Sequence, residues 1–306
     1  MKKILLLFTR HSITQGEAEP ERLLELLDTS AQARGLDMHF ETATYEDLLH
    51  IVSDDAKIIN TKTSEDIANY DLVYHRRWRA MPDRAMACTI YLKGKKVPSI
   101  DREAYGAGSI NKLNQAWRFW EAGLPHPATV YTESETRQWM LAHLETVPFG
   151  FPMIMKGVEA TRGNDNYLVR SAEELRQKFA ENPNVIFVLQ EFLPNDGDYR
   201  VIVCGDTPKL IMHRVAEKGK HTNNTSQGGR AVLLDSDALP ASVLADCVRA
   251  AQTFGRDFAG VDVVLHRQTG KHYFFEVNRS PQVESGMYVA EKGAILAQYL
   301  YDEAHA

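Results

Sequence analysis

Apolar residues fall along this chain in two rhythms, short continuous runs and longer stretches with a 3.6-residue period. Residues 4–8, Ile-Leu-Leu-Leu-Phe, predict a strand buried on both faces. Residues 19–33 place Leu23, Leu24, Leu26 and Leu27 near one side and reach Gly35, the pattern of an amphipathic helix closed by a glycine. Short apolar runs return at 38–42 and at 72–74, the latter leading into His75-Arg76-Arg77-Trp78-Arg79. This alternation predicts a small parallel sheet flanked by helices. No Gly-x-Gly-x-x-Gly follows the first strand, so a dinucleotide fingerprint is absent.

A helix is predicted over 109–122, stopped by Gly123-Leu124-Pro125-His126-Pro127. A mixed region follows, with a helix over 133–144 and a strand over 152–156. Ser171 caps a further helix over 172–180, with Glu174 at the capping-box position. From 185 the pattern turns strand-rich, with strands at 185–192, 200–204, 210–215, 260–265 and 273–278. Helices over 241–254 and 290–300 pack around them. There are no internal repeats, and the stretch 97–109 is the expected boundary between units.

The last two apolar runs flank Arg267-Gln268-Thr269-Gly270 and read as a β-hairpin. A turn centred near 269 puts Asp262 opposite Glu276, and the two-residue period puts Asn278 on the same face. Opposed carboxylates repel. Either the hairpin is an edge whose acids point to water, or a divalent cation offsets the repulsion. An all-oxygen set without His or Cys suits Mg²⁺ rather than zinc.

Other stretches carry chemistry less specifically. Lys156 leaves a buried strand beside a small polar loop, 157–166, whose amides could close over a phosphate; a surface lysine at a turn is the alternative. The strand ending Gln190-Glu191-Phe192-Leu193 could present its backbone to a base edge, or be plain core. Asp198–Val203 and Leu210–Arg214 flank Gly205-Asp206-Thr207-Pro208 as a second hairpin, which sets Arg200 roughly opposite Arg214. Two guanidinium groups on one face either clamp an anion or point to water. The polar stretch 221–229 is a covering loop or a connection. Arg76 and Arg77 are candidates to bind a carboxylate, with Trp78 packing between them and Arg79.

Composition narrows the partners. The 306 residues are 44% hydrophobic and 25% charged with a net charge of −6, which gives no sign of a nucleic-acid or membrane partner. Cys88, Cys204 and Cys247 are far apart and form no CxxC, so neither a disulfide framework nor a zinc site is indicated. The N-terminal apolar run is too short for a signal h-region, and no run approaches a membrane span. A cytoplasmic setting is the default expectation.

The order of these pieces is more specific than any one of them. Lys112 on a helix, strand-borne Lys156, Gln190-Glu191-Phe192-Leu193, Asp198-Tyr199-Arg200, Arg214, Asn224 before Gly228-Gly229, Asp262, and Glu276-Val277-Asn278 together resemble the ATP-grasp superfamily. The likeness is strongest to RimK-like carboxylate–amine ligases (the ribosomal protein S6 glutamate ligase and glutathione synthetase type), and covers residues 105–303. It implies an α/β (α+β ATP-grasp) fold, with a small parallel-sheet domain at 1–105 and two ATP-grasp subdomains, 106–185 and 186–306, clasping the nucleotide.

The resemblance also implies roles. Lys112, Lys156 and the loop containing Gly163 would meet nucleotide phosphates. Gln190, Glu191, Phe192 and Leu193 would hold adenine, and Asp198 the ribose. Asp262, Glu276 and Asn278 would bind two Mg²⁺ ions, with Mn²⁺ as an alternative. Arg200 and Arg214 would stabilise the transferring phosphoryl group, with Asn224 near nucleotide and metal. Arg76, Arg77, Arg279, Ser280 and Glu284 would face the substrate, an amino acid or a peptide or protein tail. The implied reaction is amide formation through an acyl phosphate, releasing ADP and phosphate; the alternative is an ATP-binding scaffold or sensor without turnover. A homo-oligomer is a family-level expectation. The loop Thr161-Arg162-Gly163-Asn164-Asp165-Asn166 departs from the usual Gly-Ser-rich pattern, and Arg279 and Gln282 stand where relatives carry small residues.

Overall fold

The computed structural model describes residues 1–106, 111–158, 165–215 and 230–306. The initial apolar run forms β1 (Lys2–Phe8), followed by α1 (Arg10–Thr14), α2 (Pro20–Arg34) and β2 (Met38–Thr44). A small antiparallel sheet is built from β3 (Leu48–Ile51), β4 (Lys57–Asn60) and β5 (Glu65–Asp66). Then come β6 (Leu72–His75), α3 (Pro82–Lys95) and β7 (Ser99–Ile100). Strands β2, β1, β6 and β7 lie side by side in that order, all parallel. β1 is buried on both faces: Ile4, Leu6 and Phe8 join the core that includes α2, and Leu5 and Leu7 the core that includes α3. Gly35 ends α2 in the left-handed region, at φ 68°. Helix α3 has no counterpart among the predicted elements. It buries only Ala85, Cys88, Thr89 and Leu92, a narrow stripe of mostly small residues with little periodic signal.

The middle of the chain holds α4 (Lys112–Glu121), β8 (Thr129–Thr132), α5 (Ser134–Ala142), β9 (Met153–Gly157), β10 (Asn166–Val169), α6 (Ala172–Glu181) and β11 (Phe187–Glu191). Its antiparallel sheet runs β10-β9-β11-β8. Met140 of α5 and Leu175 and Phe179 of α6 pack on Met153, Met155, Phe187 and Leu189. That leaves Lys156 and Gln190 on the opposite face. At α6, Ser171 Oγ accepts from the Glu174 N–H at 3.1 Å, while the Glu174 carboxylate takes the Arg170 N–H at 2.7 Å, one residue before the cap. β11 pairs with β8 and β9, so this sheet extends past residue 185.

The remainder comprises β12 (Asp198–Cys204), β13 (Thr207–Val215), β14 (Arg230–Leu234), α7 (Ala241–Thr253), β15 (Phe258–Leu265), β16 (His272–Arg279) and α8 (Val289–Glu303). The five strands form an antiparallel sheet in the order β14-β13-β12-β15-β16. One face is covered by Val243, Cys247, Ala250 and Ala251 of α7. The other face has an apolar half and a polar half. Ile202, Cys204, Leu210, Met212 and Phe258 share a core with α2, α8 and the first sheet. Helices α2 and α8 approach so closely that a Cβ on Gly293 would sit 2.6 Å from Leu26 Cγ. Among the described residues, no helix is long and apolar enough to cross a membrane.

Candidate active site

The polar half of this face begins with the β15–β16 hairpin. Asp262 pairs with Glu276 and Gly260 with Asn278, as the turn geometry required. A bulge the sequence did not announce lies just beyond, because the next pair is Val263 with Phe274 and leaves Phe275 as the extra residue. The bulge decides the faces. Phe274 and Val277, three residues apart, both enter the α7 core, and Glu276 and Asn278 are turned to the other side.

The second hairpin differs from its expected register. Arg214 pairs with Asp198, and Arg200 with Met212, so the two arginines are offset by two residues rather than opposed. The turn lies at Gly205-Asp206, between paired Cys204 and Thr207, rather than near 207, and the irregularity between Ile202 and Val203 recovers only one residue of the difference. Arg200 and Arg214 still share the site face. On the other side of β12, Arg200 pairs with Asp262. The sheet therefore carries a row across four strands, Met212–Arg200–Asp262–Glu276.

The charges in this row answer one another. Arg200 grips Asp262 with two bonds of 2.8 Å, and Arg214 Nη2 reaches the same carboxylate at 3.1 Å. Arg214 also forks onto both oxygens of Asp198, its expected ribose ligand role notwithstanding. Burial alone would raise the Asp262 carboxyl, but Arg200 and Arg214 outweigh it and hold it at about 2. Asn278 Nδ2 donates to Asp262 Oδ2 at 3.2 Å.

Lys156 comes to this face from β9. Its Nζ donates to Gln190 Oε1 at 2.9 Å and lies 5.0 Å from the centre of the Phe275 ring. Gln190 in turn donates to Thr129 Oγ1 at 3.1 Å. Burial lowers the lysine to about 8, against the pull of Glu276, Asp262 and Asp198. Lys112 Nζ, at the start of α4, donates to the Val158 carbonyl at 3.3 Å. Glu191, Phe192 and Leu193 occupy the passage from β11 to β12, where Leu193 is buried and the other two half-buried. Gly163 and Asn224 lie outside the described residues.

The expected substrate residues gather at a third place, between the end of β6 and the segment after β16. Arg76 is 0% exposed, and its Nη2 donates to Glu284 at 3.0 Å and to the Pro281 carbonyl at 2.9 Å. The cation expected to face the substrate is thus enclosed with its counter-ion in place. Arg77 is half-buried, and its buried Nε has no hydrogen-bond partner. Burial, and then Arg76, lower it to about 10. The Ser280 hydroxyl donates to the Arg76 carbonyl. Arg279 stacks 4.3 Å from the Trp78 ring centre and bonds Glu103 at 3.0 Å. Burial would raise Glu284, but Arg76, Arg77 and the backbone N–H groups of Glu284 and Val283 together hold it below the usual carboxylate range.

Three supporting residues stand outside the predicted set. Glu103 binds Arg256 at 2.9 and 3.0 Å as well as Arg279. Lys292 donates to the carbonyls of Gln282 at 2.8 Å and Ser285 at 2.9 Å, bracing the segment that carries Glu284. Burial lowers this lysine to about 8. Its signal is a charge in the apolar stripe of α8, four residues before Leu296. Phe275 has no signal, because a bulge is invisible in an alternating pattern.

Comparison with known proteins adds to this geometry. Residues 119–297 match the family described as a RimK-like ATP-grasp domain. The "Probable alpha-L-glutamate ligase 2" of Hahella chejuensis is 31% identical over 214 residues, 67% of each chain. The "Probable alpha-L-glutamate ligase" of Cellvibrio japonicus is 31% identical over 167 residues, covering 53% of this chain and about half (52%) of that one. Among solved structures, the ATP-grasp ligase PsnB complexed with precursor peptide PsnA2 and AMPPNP superposes with a TM-score of 0.67 at 18% identity, covering 99% of this chain and 98% of that one. The macrocyclase MdnC bound with precursor peptide MdnA from Microcystis aeruginosa MRC gives 0.63 at 14% identity, covering 99% and 100%.

Proposed function

Because the chain belongs to the RimK-like ATP-grasp family, and so is an ATP-dependent ligase that joins a carboxylate to an amine, we propose that it performs this reaction on the face formed by β9, β12, β13, β15 and β16. The observation that carries this assignment is the row Arg200–Asp262–Glu276, with Asn278 beside it and Lys156 on the same side.

The donor set fits magnesium. Two carboxylates and an amide offer only oxygen to a cation. Among the described residues no third acid, His or Cys joins them, so Asn278 completes the set. Its amide now donates to Asp262, and turning over presents Oδ1 instead. Two ions are proposed, with manganese as a substitute that accepts the same ligands. Bound magnesium and ATP would supply an activated phosphoryl group whose charge is spread over metal and cations.

This chain's residues do the rest. Lys156 and Lys112 hold phosphate oxygens, and Glu191, Phe192 and Leu193 frame the base. With a cation held at Asp262, Arg200 would be free of its two-bond grip and available to the phosphoryl oxygens. Asp198 keeps Arg214 oriented from behind. Arg77, half-buried beside the enclosed Arg76–Glu284 pair and with an unpartnered Nε, takes the substrate's carboxylate. The product is an amide formed by way of an acyl phosphate, with ADP and phosphate released. The names of the relatives favour glutamate as one substrate, and the peptide-bound neighbours favour a peptide as the other.

ADP release should be followed while amino acids are offered singly, in pairs and with short peptides. Glu276→Gln removes one metal charge without changing shape and is expected to lower turnover at least about a thousandfold. Full activity in that variant would refute the metal assignment.

A further inference from the structure

Among the described residues, strand β14 is an edge of the large sheet and pairs with β13 alone. Alternate residues of such a strand turn their backbone N–H and C=O to the free side. Here those residues are Ala231 and Leu233, and one atom answers both. Tyr288 Oη accepts from the Leu233 N–H at 3.0 Å and donates to the Ala231 carbonyl at 3.2 Å. A carbonyl and an N–H two residues apart are what a single residue of an added parallel strand would take. Tyr288 holds this place from a left-handed conformation, φ 57° and ψ 43°, unusual for a bulky residue.

Among the described residues, nothing else caps the edge. Val232 is 54% exposed, Leu233 37% and Val215 41%, and Arg230 stands exposed at the strand's start. Natural edges are more often blunted by charge, proline or a bulge. Leu233 lies level with Arg200 across the sheet, since it pairs with Met212, which pairs with Arg200. Arg200 is two strands away, about 10 Å at ordinary spacing.

We propose that the free edge of β14 seats an extended peptide substrate by strand addition, the peptide backbone replacing the Tyr288 hydroxyl. This rests on the ligase assignment above with a peptide as one substrate. A strand beyond β14 lies about 15 Å from Arg200, so this seat recognises the chain while a residue roughly four or five positions along reacts. The apolar side chains and Arg230 favour a peptide that alternates apolar and acidic residues. Backbone pairing provides affinity and the side chains provide choice.

The test uses a fluorescein-labelled Glu-Val-Glu-Val-Glu-Val peptide and two analogues, N-methylated at its odd or its even residues, in anisotropy titrations. One analogue should bind about tenfold more weakly, since it loses the edge bonds. Tyr288→Phe should bind the parent peptide several-fold more tightly, having lost the competing hydroxyl. Leu233→Pro removes the edge-facing N–H, leaves the β13 ladder whole and should weaken binding about tenfold. Equal binding of both analogues and the parent overturns the proposal, as does no binding by any variant. A concentration-dependent dimer that Leu233→Pro abolishes, with peptide binding unchanged, would assign the edge to a second copy and overturn it too. ADP release with glutamate and hydroxylamine, measured on the same samples, separates the two claims. Its absence in the wild type would refute ligation and leave the binding result standing; its retention in Leu233→Pro shows an intact site.

Discussion

Arg76 and Arg77 are neighbours in sequence with opposite surroundings. Arg76 is enclosed and paired, so Arg76→Ala leaves Glu284 buried without its counter-ion and should cost about 3–5 kcal/mol of stability, read by urea denaturation. Arg77→Ala should leave stability nearly unchanged and raise the substrate KM about tenfold, with the KM for ATP unmoved. Equal effects on both constants would place Arg77 outside the substrate site. Lys156 gives a pH signature. Its folded value, about 8, lies below the usual 10.5, so between those values the unfolded chain binds more protons and stability rises with pH. Lys292, lowered for the same reason, contributes in the same window. Lys156→Met should therefore raise the melting temperature at pH 7 and lose that advantage near pH 10. A bound triphosphate would restore the charge on Lys156, so nucleotide binding near pH 9 should take up a proton. Calorimetry in two buffers of different ionisation heat measures this, and buffer-independent heats would count against the phosphate role.

At the scale of elements, the β16 bulge matters most. Without it Phe274 and Glu276 would share a face, and either the core or the proposed metal site would lose a member. The extra residue, Phe275, is then free to meet Lys156. Phe275→Leu keeps apolar bulk and removes the π face. The KM for ATP should rise about two- to tenfold, with kcat little changed. A fall in kcat alone would show that the ring shapes the metal ligands instead. The register of the β12–β13 hairpin makes a similar point. A turn residue count fixed by sequence would oppose Arg200 and Arg214; the observed shift gives Arg214 to Asp198 and leaves Asp262 to be shared.

Across the whole molecule, the first sheet and the large sheet are joined by packing and by charge. Helices α2 and α8 provide the apolar contact. Charged contacts add to it: Arg76 meets Glu284, and Glu103 reaches Arg256 and Arg279 together. Glu103→Gln would leave the buried Arg256 and half-buried Arg279 guanidinium groups short of their carboxylate, at a cost of about 3–5 kcal/mol. Because Arg279 ends β16, the same change should weaken magnesium-dependent ATP binding. Denaturation and nucleotide titration on one sample would show both effects, and loss of stability with unchanged nucleotide affinity would confine Glu103 to a structural role.

Much of the site is legible in the order and spacing of residues. The facing of Asp262, Glu276 and Asn278 follows from turn length and a two-residue period, both local properties of the chain. So do the buried first strand and the capped ends of α2 and α6. The features that spacing does not reveal have non-local causes. Small residues hide α3, which becomes a helix by packing under the first sheet. The bulge, the shifted second hairpin and the enclosure of Arg76 by Glu284 depend on which surfaces meet. Sequence alone determined the chemistry available, because residue type and spacing are local. Tertiary structure decided which cations are already neutralised and which are not, because burial and pairing arise only when distant segments pack together.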